Sequence, residues 1–258
     1  MNDNDNKKII HYATNEIANF YSHSRICWND IYQSEKWIIH KVAGERLNLD
    51  RVLDVGCATG GLGVALNENF VLSEYIGVDV NCPSISVAKQ RKISVKSEFI
   101  CGDILDVNSL QLESFNTVFS LSCADWNNGT EPIIQKCWEY VKENGHFIMT
   151  LRLTPKLSIS NIEESFQYIY YQDDNPKKIS ELEKAPYVIF NVKDAIQLLT
   201  NLSPRPSKLT AYGYWGKPSL TSNTPYDRLV FTALSLEKRK NVSSVTDIEC
   251  HWPANLLL

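Results

Sequence analysis

The stretch "VLDVGCATGGLG", residues 52–63, gives the clearest local indication of the fold. An apolar run over residues 51–55 is typical of a buried strand, and residues 60–70 continue with the spacing of a helix. The loop between them is rich in glycine and carries no lysine. Such a turn lets a ligand approach bare backbone at the N-terminus of the helix. The sequence therefore predicts a ligand-binding loop that has no positive charge of its own.

The alternation of strand and helix continues along the chain. Further strands are predicted over residues 75–80, 97–103, 116–123 and 146–153. Helices between them are predicted over residues 83–92 and 131–143. Two more apolar runs, 207–216 and 226–236, are typical of an antiparallel pair that closes the sheet. This order indicates an α/β fold with a doubly wound, mostly parallel sheet.

Three parts of the chain differ in pattern. Residues 1–48 carry aromatic and aliphatic residues at helical spacing, which predicts a helical N-terminal lid. Residues 49–236 are predicted to form the main domain. Within it, the alternation stops over about residues 154–206, and an interruption of that length favours an inserted cap over a plain loop. Residues 237–258 are mostly polar and are predicted to be a flexible tail.

The composition disfavours several classes of protein. With 43% hydrophobic and 22% charged residues, the chain is typical of a soluble globular protein. Its net charge of −4 disfavours a broad nucleic-acid surface. A polar start and the lack of a long apolar run predict neither secretion nor membrane insertion. Seven cysteines without a CxxC pair predict reduced thiols in the cytoplasm, and no metal site is expected.

The glycine loop does not match a phosphate-binding motif. A Walker loop needs a lysine after its last glycine, but Gly61 is followed by Leu62. The dinucleotide fingerprint GxGxxG is half met, by Gly56, Ala58 and Gly61. Asp54 at the mouth of the strand would repel a pyrophosphate but suits a ligand with an ammonium group.

Two more acids follow the next two predicted strands. Asp79 ends the second strand, where a carboxylate can accept hydrogen bonds from both hydroxyls of a ribose. Asp103 ends the third strand, where it can accept a hydrogen bond from an adenine amino group. An adenosine with a cationic amino-acid tail therefore fits the loop. The alternatives are a simple turn acid at Asp79 and a helix cap at Asp103.

Four stretches resemble, in order and spacing, the first motifs of the class I S-adenosylmethionine-dependent methyltransferases. They are "VLDVGCATG" (52–60), "GVDV" (77–80), "FICGDI" (99–104) and "FNTVFSLSCADW" (115–126). The resemblance covers residues 50–153 well and 207–236 more loosely, and it departs from the family at Ala58, where many members have glycine. It implies a Rossmann-like sheet of seven strands, the last one antiparallel, with S-adenosyl-L-methionine as cofactor and S-adenosyl-L-homocysteine as product.

The resemblance also implies which residues contact the cofactor. Gly56 and Gly60 would line the methionine portion, and Arg25 could pair with its carboxylate. Asp54 would contact the amino group through loop backbone or water. Asp79 would take the ribose, and the adenine side and remaining walls would be formed by Cys57, Val80, Asp103, Ile104 and Ser122.

The acceptor side is less well defined. Asp125 is the best candidate for a base or an acceptor contact, and the alternative is a loop acid that caps the next helix. His23 is a second candidate base for a hydroxyl acceptor. Trp126 would stack on the adenine or wall the acceptor pocket, or simply pack. Arg152 would hold an acidic group of the acceptor or pair with Asp125.

These observations favour an S-adenosylmethionine-dependent methyltransferase of a small molecule. Oxygen or nitrogen would be methylated, and a polar or sugar-like metabolite is one candidate acceptor. The sequence "CADW" (123–126) differs from the Asn/Asp-Pro-Pro-Tyr/Phe quartet of methylases that act on adenine or glutamine amino groups. No nucleic-acid or membrane partner is expected. The alternatives are an RNA or protein methyltransferase, a NAD-dependent oxidoreductase and a non-catalytic cofactor-binding scaffold.

Overall fold

A computed structural model describes residues 15–106, 114–169, 182–240 and 245–257. Its helices are α1 (Asn15–His23), α2 (Gln33–Ala43), α3 (Gly61–Asn69), α4 (Cys82–Ala88), α5 (Thr130–Tyr140) and α6 (Val192–Thr200). Its first strands are β1 (Asn48–Val55), β2 (Val71–Asp79), β3 (Lys96–Cys101), β4 (Phe115–Ser120), β5 (Val141–Thr154) and β6 (Phe166–Ile169). The others are β7 (Glu183–Pro186), β8 (Phe190–Asn191), β9 (Lys208–Gly216), β10 (Ser222–Asn223), β11 (Leu229–Glu237) and β12 (Asp247–His251).

The central sheet has the order β12-β9-β11-β5-β4-β1-β2-β3, with β8 beside the end of β5. Strands β1 to β5 pair in parallel, whereas β11 runs antiparallel to both β5 and β9. The predicted fold class is therefore confirmed. Within the described residues the sheet gains two strands, β8 and β12, beyond the seven that the sequence indicates.

Helices cover both faces of this sheet because its inner strands are apolar on both sides. Phe147 and Ile148 are neighbours on β5, and their side chains enter different cores because successive strand residues point to opposite faces. One core holds Ile134 and Trp138 of α5, and the other holds Ile38 of α2 together with parts of α3 and α4. The sheet is thus doubly wound.

The winding reverses between β1 and β4, and this reversal positions the site. The connection after β1 enters α3 on one face, whereas the connection after β4 enters α5 on the other face. The two loops diverge at the carboxyl ends of the strands and leave a crevice there. Ligands of open α/β sheets bind at such a point.

The segment after β5 contains a second, smaller sheet. Strands β6 and β7 pair with each other, and β10 from the turn before β11 pairs with β6. Residues 170–181 of the expected cap and residues 1–14 of the expected lid lie outside the described residues. The division into lid, main domain and cap stays a prediction.

The prediction of a flexible tail is wrong for residues 245–257. Strand β12 pairs in parallel with β9 and forms the edge of the sheet. Glu249 bridges Lys41 at 2.8 Å and Lys208 at 2.7 Å, and the indole N–H of Trp252 donates to Thr232 Oγ1 at 2.8 Å. Polar side chains along an edge strand give a sequence pattern that resembles a solvated tail, so the pairing was missed.

The prediction that every thiol is reduced is also wrong. Cys82 at the start of α4 and Cys101 at the end of β3 form a disulfide, while the other five cysteines are free. Their separation of 19 residues along the chain gives no CxxC signal. Only the adjacency of β2 and β3 brings them together.

Among the described helices, none is both long and apolar enough to cross a bilayer.

Candidate active site

A cavity of about 210 Å³ opens at the carboxyl ends of β1, β2 and β4. Its walls come from the glycine loop, from α1 and the turn that follows it, from the loop after β4 and from β6. Of the predicted cofactor residues, those that line it are Arg25, Asp54, Gly56, Cys57, Asp79, Val80, Asp103, Ile104 and Ser122. The structure thus brings together these nine residues from five separate segments of the chain.

At two positions of the glycine loop, a side chain would overlap atoms of neighbouring segments. Gly56 has a φ of +80°, and a Cβ there would lie 2.4 Å from Cys123 Sγ. A Cβ on Gly61 would lie 2.2 Å from the carbonyl oxygen of Arg25, so this glycine lets the segment after α1 rest on the loop. Bare backbone at both positions forms one wall of the cavity.

Gly60 has a different place from the one predicted. It precedes α3 with a φ of +77°, and a Cβ there would lie 2.9 Å from the Phe99 ring. The residues that line the cavity include Gly61 but not Gly60. The prediction that Gly60 lines the binding site is therefore corrected: Gly61 lies on the cavity wall, and Gly60 turns the chain into α3.

Asp79 is held in place by the backbone around it. Its Oδ1 accepts a 2.8 Å hydrogen bond from the Asn81 amide, and its Oδ2 accepts one of 2.8 Å from the Ala58 amide. Burial raises the pKa of this carboxyl above its ordinary value. Each oxygen retains a lone pair, so the oriented carboxylate can accept a pair of hydroxyl groups from the cavity.

Asp54 lies deeper than Asp79 and is almost fully buried. The Tyr75 hydroxyl donates a 2.5 Å hydrogen bond to its Oδ2. Burial raises the pKa of Asp54 to about 7, with a smaller contribution from the charge of Asp79. The carboxyl therefore changes its charge near neutral pH, and a cation in the cavity would favour its ionised form.

Arg25 lines the cavity but is already paired. Its Nη2 donates to both carboxylate oxygens of the buried Glu35, at 3.0 and 2.9 Å, and its guanidinium lies 4.8 Å from the centre of the Tyr32 ring. Both of these bonds use Nη2, which leaves Nε and Nη1 as donors toward a further acceptor. The pair fixes the orientation of Arg25 at the cavity wall.

The structure corrects the predicted roles of Asp125 and Arg152. Both are buried and neither lines the cavity. Arg152 Nη2 lies 3.2 Å from Asp125 Oδ2, and its Nε donates to the Val188 carbonyl at 3.1 Å. The guanidinium also lies 3.7 Å from the centre of the Tyr187 ring. Neither side chain reaches the cavity, and the structural pair of Arg152 with Asp125 is the arrangement found.

His23 is not at the cavity either. It is exposed at the end of α1, and its Nδ1 lies 3.1 Å from the Asn19 carbonyl oxygen. Trp126 does line the cavity and packs edge-on against Tyr187. Of the predicted acceptor-side residues, Trp126 alone lies where it was expected.

Other cavity residues escaped the sequence analysis. Gln167, Tyr168 and Ile169 reach the cavity from β6. Their apolar and aromatic pattern is visible in the sequence, but nothing local indicates that the segment returns over the crevice. The buried partner Glu35 was missed because it lies in an amphipathic stretch that resembles an ordinary surface helix.

The comparisons with known proteins agree with this geometry. Residues 48–197, more than half of the chain, match the family model described as a methyltransferase domain. The chain belongs to that family, and its fold is that of the class I S-adenosylmethionine-dependent methyltransferases. An S-adenosylmethionine-dependent methyltransferase from Clostridium acetobutylicum ATCC 824 superposes with a TM-score of 0.51 and 17% identity, covering 80% of this chain and 92% of that one.

Two curated relatives are similar over part of their length. Malonyl-(acyl-carrier protein) O-methyltransferase of Priestia megaterium is 24% identical over 56% of this chain and 52% of its own. Sterol 24-C-methyltransferase of Candida albicans is 24% identical over 56% of this chain and 42% of its own. The chain thus matches about half the length of these relatives.

Proposed function

We propose that this chain binds S-adenosylmethionine in the crevice and catalyses transfer of its methyl group to a small-molecule acceptor. One observation carries the proposal. Three carboxylates, from Asp54, Asp79 and Asp103, surround a glycine loop without a lysine at neighbouring strand ends. Two like charges 4 Å apart near a protein surface repel by about 4 kcal/mol. A sulfonium nucleoside suits this environment, and a diphosphate does not.

Each part of the cofactor has a matching group on the chain. Asp79 would accept hydrogen bonds from the ribose, and Asp103 with Ile104 would contact the adenine. Asp54 would face the ammonium group through the loop, and the remaining donors of Arg25 would face the carboxylate. These assignments are supported by the position of every one of these residues on the cavity wall.

Alignment is the main work left to the protein. The cofactor supplies a methyl group already activated on its sulfonium, and holding donor and acceptor in line can be worth about 7–11 kcal/mol. Of the described residues that line the cavity, none is a histidine or a lysine. Burial raises the pKa of Tyr21 to about 12, so its hydroxyl is not a base at neutral pH. The three carboxylates of the cavity are assigned to the cofactor, so the acceptor would arrive with a free lone pair.

The names of the relatives support a small acceptor without selecting one. One is named as an O-methyltransferase of malonyl-(acyl-carrier protein) and the other as a C-methyltransferase of a sterol, so the names differ in the acceptor and in the atom that is methylated. The acidic composition of this chain also favours a small acceptor over a nucleic acid.

Isothermal titration with S-adenosylhomocysteine and with NAD tests the cofactor. Micromolar binding of S-adenosylhomocysteine and no binding of NAD is expected. Asp79→Ala should weaken S-adenosylhomocysteine binding at least tenfold, whereas Asp50→Ala, on the same sheet but outside the cavity, should leave it unchanged. Binding of NAD in place of S-adenosylhomocysteine would overturn the proposal.

A further inference from the structure

The cavity wall away from the three acids has a distinct chemistry. It is formed by α1, the loop after β4, the start of α5 and β6, through Ile17, Phe20, Tyr21, Leu121, Trp126, Asn127, Ile133, Gln167, Tyr168 and Ile169. We call this set the acceptor wall. Every one of these side chains is uncharged, and most are aromatic or aliphatic.

Most described charged groups near the wall are paired, whereas the exposed Lys184 lies outside the cavity, with its ammonium group 5.7 Å from the centre of the Tyr168 ring. Arg25 is neutralised by Glu35, and the pair of Asp125 and Arg152 is buried behind the wall. Of the two amides on the wall, Asn127 spends a donor on the Cys123 carbonyl at 3.0 Å. A charged acceptor would lose its hydration here without gaining a counter-ion from the wall residues, which is costly. A sugar would find few polar partners on this wall, namely the hydroxyls of Tyr21 and Tyr168 and the amides of Asn127 and Gln167.

We infer that the acceptor is an uncharged and largely apolar molecule that packs against aromatic rings. This inference rests on the proposed function and names its substrate class. It differs from the polar or sugar-like acceptor that the sequence suggested. That suggestion depended on Arg152, whose guanidinium faces Asp125 and Tyr187 instead of the cavity.

Three probes of graded chemistry test the inference at pH 7.5. They are 2-naphthol, which is neutral and apolar, 2-naphthoate, which adds a charge to the same rings, and glucose, which is neutral and polar. Each is titrated into protein saturated with S-adenosylhomocysteine. We expect 2-naphthol to bind at least tenfold more tightly than the other two.

Two variants locate the binding. Tyr168→Asp adds a carboxylate to a half-buried position on the acceptor wall and should weaken 2-naphthol binding at least tenfold. Leu220→Asp makes a similar change at a fully exposed leucine outside the cavity and should change nothing. S-adenosylhomocysteine affinity within twofold of wild type shows that a variant is folded. Equal or tighter binding of 2-naphthoate or glucose, or no binding of 2-naphthol, overturns the inference. Failure to bind S-adenosylhomocysteine overturns the proposed function instead.

A different observation carries a second inference. The disulfide between Cys82 and Cys101 joins two segments that both line the cavity, since Asp79 and Val80 precede Cys82 and Asp103 follows Cys101. Both cysteines are exposed, so a reductant can reach the bond. Next to Cys82, the Asn81 amide donates to the Asp79 carboxylate. A movement at Cys82 would therefore reach the group proposed to hold the ribose.

We propose that this disulfide sets the affinity for the cofactor according to redox conditions. A dithiol such as dithiothreitol transfers two electrons and two protons to the S–S bond, which yields two thiols and the cyclic disulfide of the reagent. After reduction, the two segments stay linked by the 2.9 Å hydrogen bond that the Gly102 amide donates to the Asp79 carbonyl oxygen. Their spacing would then vary more, so affinity would fall while the fold persists.

The test compares S-adenosylhomocysteine binding before and after treatment with dithiothreitol. We expect at least a threefold loss of affinity on reduction. The double variant Cys82→Ser/Cys101→Ser should have the affinity of the reduced protein and should not respond to dithiothreitol. This second proposal would be overturned if the purified protein had seven free thiols, or if reduction left the affinity unchanged or increased it. It would also be overturned if the double variant responded to dithiothreitol as strongly as wild type.

Discussion

Replacing Asp54 by asparagine should stabilise the ligand-free protein at pH 8 and weaken its cofactor binding. Asp54 is 2% exposed, and burial raises its pKa from 3.8 to about 7. Between these two values the folded protein holds a proton that the unfolded chain has released. The free energy of unfolding therefore falls as pH rises through this range.

The size of the effect follows from the pKa shift. A shift of about three pH units corresponds to about 4 kcal/mol at 1.36 kcal/mol per unit. The contribution of the protonated Asp54 to the free energy of unfolding is fully present below about pH 4, decreases between about pH 4 and pH 7, and is lost above that range. Asparagine does not titrate and can still accept the hydrogen bond from Tyr75. The advantage of Asp54→Asn should thus grow from near zero at pH 4 to about 4 kcal/mol at pH 8, or about 10 °C in Tm.

Circular dichroism melts from pH 4 to pH 8 measure this difference, and titration with S-adenosylhomocysteine at pH 8 measures the cost. Affinity should fall at least threefold, because the ligand's ammonium group loses a carboxylate in the same cavity. Asp50→Asn is a matched control on β1, where the side chain is 43% exposed, and it should leave S-adenosylhomocysteine affinity unchanged. The reasoning would be refuted if the Tm of Asp54→Asn were below that of wild type at pH 8, or if the difference in Tm were the same at every pH.

Three further predictions concern single side chains. Gly56→Ala should reduce S-adenosylhomocysteine affinity at least tenfold, because the Cβ of the alanine would overlap Cys123 Sγ. Isothermal titration measures this affinity, and an unchanged value would contradict the prediction. Arg152→Met should lower the free energy of unfolding by about 3–5 kcal/mol, since it leaves Asp125 buried without its partner; urea unfolding should show this, and loss of less than 1 kcal/mol would argue against the pair. Trp252→Phe should cost about 1 kcal/mol through the lost hydrogen bond to Thr232, and an unchanged urea midpoint would mean that the C-terminal segment does not stabilise the sheet.

Local signals in the amino-acid sequence were enough to predict the fold class and the acids that line the crevice. Alternating apolar runs and glycine turns are local signals, because neighbouring residues on one strand or helix decide which face is buried. The acids at or just after the ends of β1, β2 and β3 could be placed together for the same reason. Parallel strands end at one edge of a sheet, so their order along the chain was enough to gather Asp54, Asp79 and Asp103.

Contacts between distant segments of the chain could be found only in the folded structure. Asp125 and Arg152 have the residue types of an active site, yet packing buries them as a pair. Residues 167–169 look like any short strand until the chain returns over the crevice, and Cys82 meets Cys101 because β2 lies beside β3. Such contacts depend on the shapes and orientations of elements many residues apart. A local sequence pattern contains no information about such contacts, because it reflects only interactions between residues that are a few positions apart.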